Sequence, residues 1–160
     1  MTGLIQPFDS ESAYRNAIAM TLALARHEIR VFDQDLVAMG LEDSERIDLL
    51  RRFLSADRHR RLRIVVHDDA PLQRYAPRSI SLLRLFAHAI EVRRTPDHLR
   101  QLSDCWVLAD AAHGTIRFHF DRPRGKQIWN SEHEIRPWWQ RADDLWAESV
   151  PCSPASVTGL

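Results

Sequence analysis

The sequence predicts an α/β fold: a central mixed, mainly parallel sheet with helices on both faces. Three observations carry that expectation. Helical and extended apolar patterns alternate along the chain. The run Leu62 to His67, with Ile64-Val65-Val66 at its centre, lacks alternation, as a strand buried on both faces does. Thr115 to Phe120 does alternate, setting Ile116, Phe118 and Phe120 against Arg117 and His119, as a half-exposed strand does.

Taken in order, Met1 to Phe8 reads as a lead-in. Asp9 or Ser10 offers an acceptor for the free N–H groups of a helix start. Tyr14, Ala17, Ile18, Thr21, Leu22 and Ala25 then recur at helical spacing. That helix is expected to end near His27, with a strand over Ile29–Asp33. Asp43 or Ser44 caps a second helix carrying Ile47, Leu50, Phe53 and Leu54 on one face. The strand Leu62–His67 follows, then a polar loop from Asp68 to Pro77. Ser79–His88 is a third helix, and Ile90–Arg93 a further strand. Pro96–Leu102 is a turn or short helix, and Cys105–Ala109 a central strand. Gly114 joins it to Thr115–Phe120 as a hairpin. A loop holding Pro123 and Gly125 comes next. The last helix, about Glu132 to Ser149, holds Pro137 in its first turns or is kinked by it. The expected organisation is a lead-in over 1–8, one domain over 9–150 and a flexible tail over 151–160.

Composition narrows the classes. The chain has 160 residues, 44% of them hydrophobic and 28% charged, with 22 basic residues balancing 22 acidic ones. That suits one globular domain. It supplies no net field to draw the chain to nucleic acid or an anionic membrane. Lys126 is the sole lysine, so nearly all positive charge is arginine. Guanidinium forks suit phosphate, but these arginines are scattered along the sequence, which fits biased codon usage better. Cys105 and Cys152 make no disulfide framework. No basic-then-apolar leader opens the chain. The apolar run Ile18 to Ala25 is too short to span a bilayer. A cytoplasmic location is expected.

The most informative stretch is Ser103-Asp104-Cys105-Trp106-Val107-Leu108-Ala109-Asp110. It keeps the spacing and final Asp of the pattern HxKxxxxD, with Ser103 at the His position and Cys105 at the Lys position. Gly125-x4-Asn130 lies downstream, and the last helix ends in Asp144-Leu145-Trp146-Ala147-Glu148-Ser149. With the element order, these residues make Ile29 to Ser149 resemble one half of a phospholipase D-like (HKD) enzyme. The resemblance implies a single-half α/β domain that pairs with a second copy across the motif face. In that family a His attacks phosphorus, a Lys stabilises the transition-state oxygens and an Asp supports the partner's imidazole. Ser103 supplies no imidazole and Cys105 no fixed positive charge, so the resemblance implies that this mechanism is absent.

Other residues admit further readings. His98-Leu99-Arg100 offers an out-of-register His, but Cys105 stands seven residues on. Cys105, between apolar neighbours, reads as an inert core residue rather than a nucleophile. His113, His119 and His133 match no zinc-ligand spacing, and no metal or cofactor is expected. Asp33, Asp35 and His67-Asp68-Asp69 follow strands and read first as loop-starting residues. Trp138, Trp139 and Trp146 read as helix anchors. Trp129, ahead of the last helix, is the better ligand or interface residue.

The expected function is a non-catalytic binding or regulatory module, acting as a homodimer. Its remnant pocket comprises Ser103, Cys105, Asp110 and Asn130, able to take a small anionic ligand. His98, His119 and Trp129 are ligand or interface candidates. Two alternatives rank behind it. One is a hydrolase of altered chemistry on a phosphorylated or nucleotide-like substrate, using Asp110, His98, His119 and an Arg. The other is a nucleic-acid-binding module using the arginines and Trp129.

Overall fold

The computed structural model describes residues 3–152. Its strands form one sheet of eight, in the order β1-β7-β6-β5-β2-β3-β4-β8. These are β1 (Leu4–Phe8), β2 (Glu28–Asp33), β3 (Arg61–Val66), β4 (Ile90–Arg94), β5 (Cys105–Ala109), β6 (His113–His119), β7 (Arg122–Trp129) and β8 (Val150–Cys152). The helices are α1 (Glu11–Leu24), α2 (Ser44–Ala56), α3 (Ala70–Tyr75), α4 (Pro77–Leu85) and α5 (Glu132–Glu148).

The sheet is mixed but mostly antiparallel, which corrects the expectation of a mainly parallel one. The pairs β2–β3 and β3–β4 are parallel. The other neighbours, β1–β7, β7–β6, β6–β5, β5–β2 and β4–β8, run antiparallel. Helical crossovers build the parallel half, as α2 and α4 do between strands. Short turns join β5 to β6 and β6 to β7, which forces those pairs antiparallel, while β1–β7, β2–β5 and β4–β8 bring together strands distant in the chain.

β5 shows how the sheet is buried on both faces. Its five residues are all buried. Cys105, Val107 and Ala109 face one core with α1, α2 and α4. Trp106 and Leu108 face a second core with Ile135, Ala142 and Leu145 of α5. Ser10 caps α1 by accepting the Ala13 N–H, and Ser131 caps α5 by accepting that of Glu134.

Several local expectations change. Residues 4–8, read as lead-in, form edge strand β1 along β7. The segment with Pro123 and Gly125, read as a loop, is β7 itself. Gly125 is required there because a Cβ would collide with the Ile116 carbonyl oxygen and the Phe8 ring. Gly114 lies inside β6 rather than in the turn, where a Cβ would press on Ile135 of α5. The turn is made by Asp110 and Ala111, at φ of 59° and 57°. The Asp68–Pro77 loop contains α3. Pro151 and Cys152, assigned to the tail, complete β8 against β4. The remainder of the expected tail, 153–160, lies outside the described residues, as do residues 1 and 2.

Candidate functional site

The motif strand β5 presents Ser103 and Cys105 at one end of the sheet. It shares that end with the loops after β2, β3 and β4, because β5 runs antiparallel to β2. Cys105 is fully buried. Its thiol faces the carboxyl of Asp33, the last residue of β2. Burial first, and then the Asp33 charge, pushes the thiol far above its ordinary range. Such a thiol is a poor nucleophile, since the thiolate is the reactive form.

Asp33 is itself buried, and desolvation raises its carboxyl. Tyr14 of α1 closes the group, with a buried hydroxyl that has no hydrogen-bond partner among the described residues. Its hydroxyl is pushed up mainly by desolvation and then by Asp33 and Cys105. Arg117 of β6 covers Tyr14, its guanidinium 4.8 Å from the ring centre. This cation is fully engaged. It holds Glu11 through two bonds of 3.1 and 2.9 Å and donates to the carbonyls of His119 and Phe120.

A second group lies on the α5 face. His67, just after β3, is buried and edge-on to Phe32. Its Nε2 is 2.8 Å from the Leu102 carbonyl, so Nε2 carries the proton and donates. Its Nδ1 then accepts from the Thr95 hydroxyl at 2.6 Å. Asp104 receives Arg141 of α5 at 2.7 Å. Desolvation raises the Asp104 carboxyl, opposed chiefly by Arg141. The sequence places His67 where a strand passes into a loop, and it does not single out Asp104, Tyr14 or Arg141 as site residues. Burial of polar groups beside the motif is a tertiary fact with no local pattern.

The four residues expected to share a remnant pocket do not share one. Asp110 follows the far end of β5, about 16 Å from Cys105 at 3.3 Å per residue. Its carboxylate is an acceptor for three backbone N–H groups: Arg26 and His27 at 2.8 Å and Glu28 at 2.9 Å. Asn130 lies at that same far end, where its N–H donates to His113 Nδ1. Ser103 stays at the motif end, its carbonyl accepting from Phe120 N–H.

The interface candidates are dispersed as well. His119 is exposed, stacks on Phe120 and accepts from the Asp121 N–H. His98 is exposed and 3.9 Å from Glu148. Trp129 ends β7 opposite Leu4 and lines a groove with Met20 and Phe8. The hydrolase set is not assembled either. Ala109 pairs with His113, and His119 is six residues farther along β6, about 20 Å away.

The tryptophans and arginines account for each other. Arg30 stacks over Trp139 at 3.7 Å, and Trp146 takes Arg93 at 4.1 Å and Arg63 at 5.2 Å. These aromatic faces are covered by guanidinium and anchor α5 to the sheet, as expected for helix anchors. Among the described residues no group of three or more His, Cys, Asp or Glu converges as a metal site. No helix there is long and apolar enough to cross a membrane.

One open space adjoins the motif end. A cleft of about 360 Å³ lies between the loop after β2 and helices α1, α3 and α4, lined by Arg15, Asp35, Leu36, Leu72 and Tyr75 among others.

This architecture is that of the phospholipase D-like fold. The phospholipase D family member Nuc from Salmonella typhimurium superposes with a TM-score of 0.63 at 15% identity, over 94% of this chain and 99% of that one. NucT from Helicobacter pylori matches at 0.57 and 10% identity, over 94% and 100%. TrmBL2, an archaeal chromatin protein with a novel mode of DNA binding, matches at 0.65 and 14%, over 92% of this chain and 54% of that one. The chain belongs to the family described as Domain of unknown function (DUF7931), whose pattern matches residues 9–155. No curated protein matches it.

Proposed function

We propose that this protein is a non-catalytic domain of phospholipase D-like fold, serving as a binding or regulatory module and acting as a homodimer. The observation that supports the reading is the state of its motif. Ser103 stands in place of the nucleophilic imidazole. Cys105 is a buried thiol in place of the cation, and the Asp110 carboxylate is engaged by the α1–β2 turn. The nearby imidazole, His67, is held at both nitrogens, and the nearby guanidinium, Arg117, is held by Glu11. A phosphoryl-transfer site needs a nucleophile and a positive charge within reach of one phosphorus.

Dimerisation across the motif end is supported by its exposed apolar surface. Phe118 is 55% and Phe120 40% exposed at the tip of the β6–β7 hairpin, beside Ser103. Two large aromatics exposed together are a common mark of an interface. A phosphodiesterase assay on the purified chain tests the non-catalytic reading, with no turnover expected.

A further inference from the structure

The loops following β2 and β3, two adjacent parallel strands, part at the strand ends to leave the cleft of about 360 Å³. Ligands of open α/β sheets lodge outside such ends. The volume falls at the small end of ligand pockets, which run to about 300–1,000 Å³.

Its shape is held by committed groups. Leu36 has a left-handed backbone at φ 72°, uncommon for an apolar residue. The buried Asp33 carboxylate fixes it there by accepting the N–H groups of Asp35 at 3.2 Å and Leu36 at 2.7 Å. Arg46 holds the far side of the loop through the Gly40 carbonyl and an ion pair with Asp43. Backbone strain of this kind persists where the surroundings over-determine it, and it gathers at ligand clamps.

The lining is mostly apolar, with Leu36, Leu41 and Leu72 inside and Tyr75 at the rim, 76% exposed. Its charged groups divide into fully and partly engaged ones. Glu42 accepts from the N–H groups of Arg78 and Ser79 and from the Ser79 hydroxyl. Asp43 is paired with Arg46. Arg15 donates Nε to the Ala38 carbonyl, and its two terminal nitrogens have no partner among the described residues. Asp35 accepts the Val37 N–H through Oδ1, and its second oxygen has no partner among the described residues. A partly engaged guanidinium and a partly engaged carboxylate thus grip consecutive residues of one loop, Ala38 and Val37. A simple anion in the cleft would meet Asp35, and a simple cation would meet Arg15. A neutral apolar molecule would desolvate both charges without pairing either.

We propose that this cleft binds an apolar α-amino acid. Its carboxylate lies on the Arg15 fork, its ammonium on Asp35, and its side chain on Leu36, Leu41 and Leu72 beneath Tyr75. The inference deepens the binding-module reading, on which it rests, by naming the ligand class.

Calorimetric titration of the full chain with L-phenylalanine tests it. Saturable binding is expected. N-acetyl-L-phenylalanine lacks the ammonium and L-phenylalaninol lacks the carboxylate. Each is expected to bind at least about tenfold more weakly, as loss of a charge-assisted partner requires. Arg15→Gln and Asp35→Asn are each expected to weaken L-phenylalanine by about the same factor. Asn at position 35 still accepts the Val37 N–H, so the loop is retained, and circular dichroism checks that both variants are folded. Met20→Gln, in the groove beside β1, is expected to change nothing. The proposal is overturned by a flat titration, by either analogue binding as tightly as the amino acid, or by both cleft variants binding like the parent. Phosphodiester turnover would overturn the non-catalytic reading and leave this titration untouched. A flat titration without turnover would remove the cleft proposal alone.

Discussion

The carboxylate of Asp110 accepts the backbone N–H of His27 at 2.8 Å across 83 residues of sequence. With the Arg26 and Glu28 N–H groups it ties the α1–β2 turn to the end of β5. Asp110 is therefore a structural fastener in this chain. Asp110→Ala is expected to lower unfolding free energy by about 2–4 kcal/mol, since three bonds to a charged acceptor are lost. Asp110→Asn keeps one acceptor oxygen and is expected to lose less. Urea unfolding of the two variants measures the difference.

Reinstalling the motif is expected to harm the fold without restoring chemistry. Cys105→Lys places an ammonium in a fully buried site already occupied by Tyr14 and Asp33. A loss of about 3 kcal/mol or more is expected, discounted if Asp33 ionises beside it. Ser103→His with Cys105→Lys is expected to show no phosphodiesterase turnover in the folded fraction. Unfolding curves run alongside the assay separate the two effects.

The thiols give a separate readout. Burial raises both, Cys105 far above its ordinary range and half-buried Cys152 to about 11. Native protein at neutral pH is expected to react slowly with a disulfide reagent at both positions. Cys105 is expected to react no faster than the chain unfolds, and Cys152→Ser isolates its rate.

Asp33 sets a pH dependence whose sign follows from its environment. Desolvation raises its folded carboxyl above the unfolded value. Between those two values the native state holds a proton that the unfolded chain has released. Stability from this group therefore falls as pH rises through that window. Asp104, raised for the same leading reason, acts in the same direction. Asp33→Asn is expected to flatten the fall while its amide oxygen keeps the Leu36 N–H. Thermal unfolding from the carboxylate range to neutral pH checks it.

Much of this architecture was legible because buried strands and amphipathic helices write a strong local pattern. Ile64-Val65-Val66 and the α5 stripe of Ile135, Ala142 and Leu145 are of that kind. β1 and β7 were missed for a physical reason. Leu4, Ile5, Gln6 and Pro7 form an exposed edge whose apolar residues face no core. Pro123 and Gly125 write a loop signature, while Gly125 answers instead to close packing on β6 and Phe8. Helix–strand alternation in the first half suggests parallel pairing but says nothing about the hairpins of the second half or about which distant strands meet. At the site, Ser103 and Cys105 were identifiable by spacing. Spacing could not show that Asp110 lies at the far end of β5, engaged by the backbone. Nor could it show Arg15 and Asp35 brought only partly engaged into one cleft, since that follows from which neighbours the fold gives them.

The α5 anchor is open to a direct test. Trp146 lies between Arg93 and Arg63, and Arg93 also donates to the Trp146 carbonyl at 2.8 Å. Trp146→Ala is expected to cost about 3 kcal/mol or more through lost packing. Arg93→Ala is expected to cost about 1–2 kcal/mol. Chemical denaturation ranks the two.

The assembly proposal is checked by sedimentation. The parent chain is expected to run as a dimer, and Phe118→Ser with Phe120→Ser as a monomer of unchanged helix content.

The central claim, a phospholipase D-like scaffold without its chemistry, is met most directly by steady-state hydrolysis of bis-p-nitrophenyl phosphate by the purified chain. Absorbance at the buffer rate is the predicted result. Turnover that scales with protein and disappears on His98→Ala or His119→Ala, with the fold intact, would contradict it.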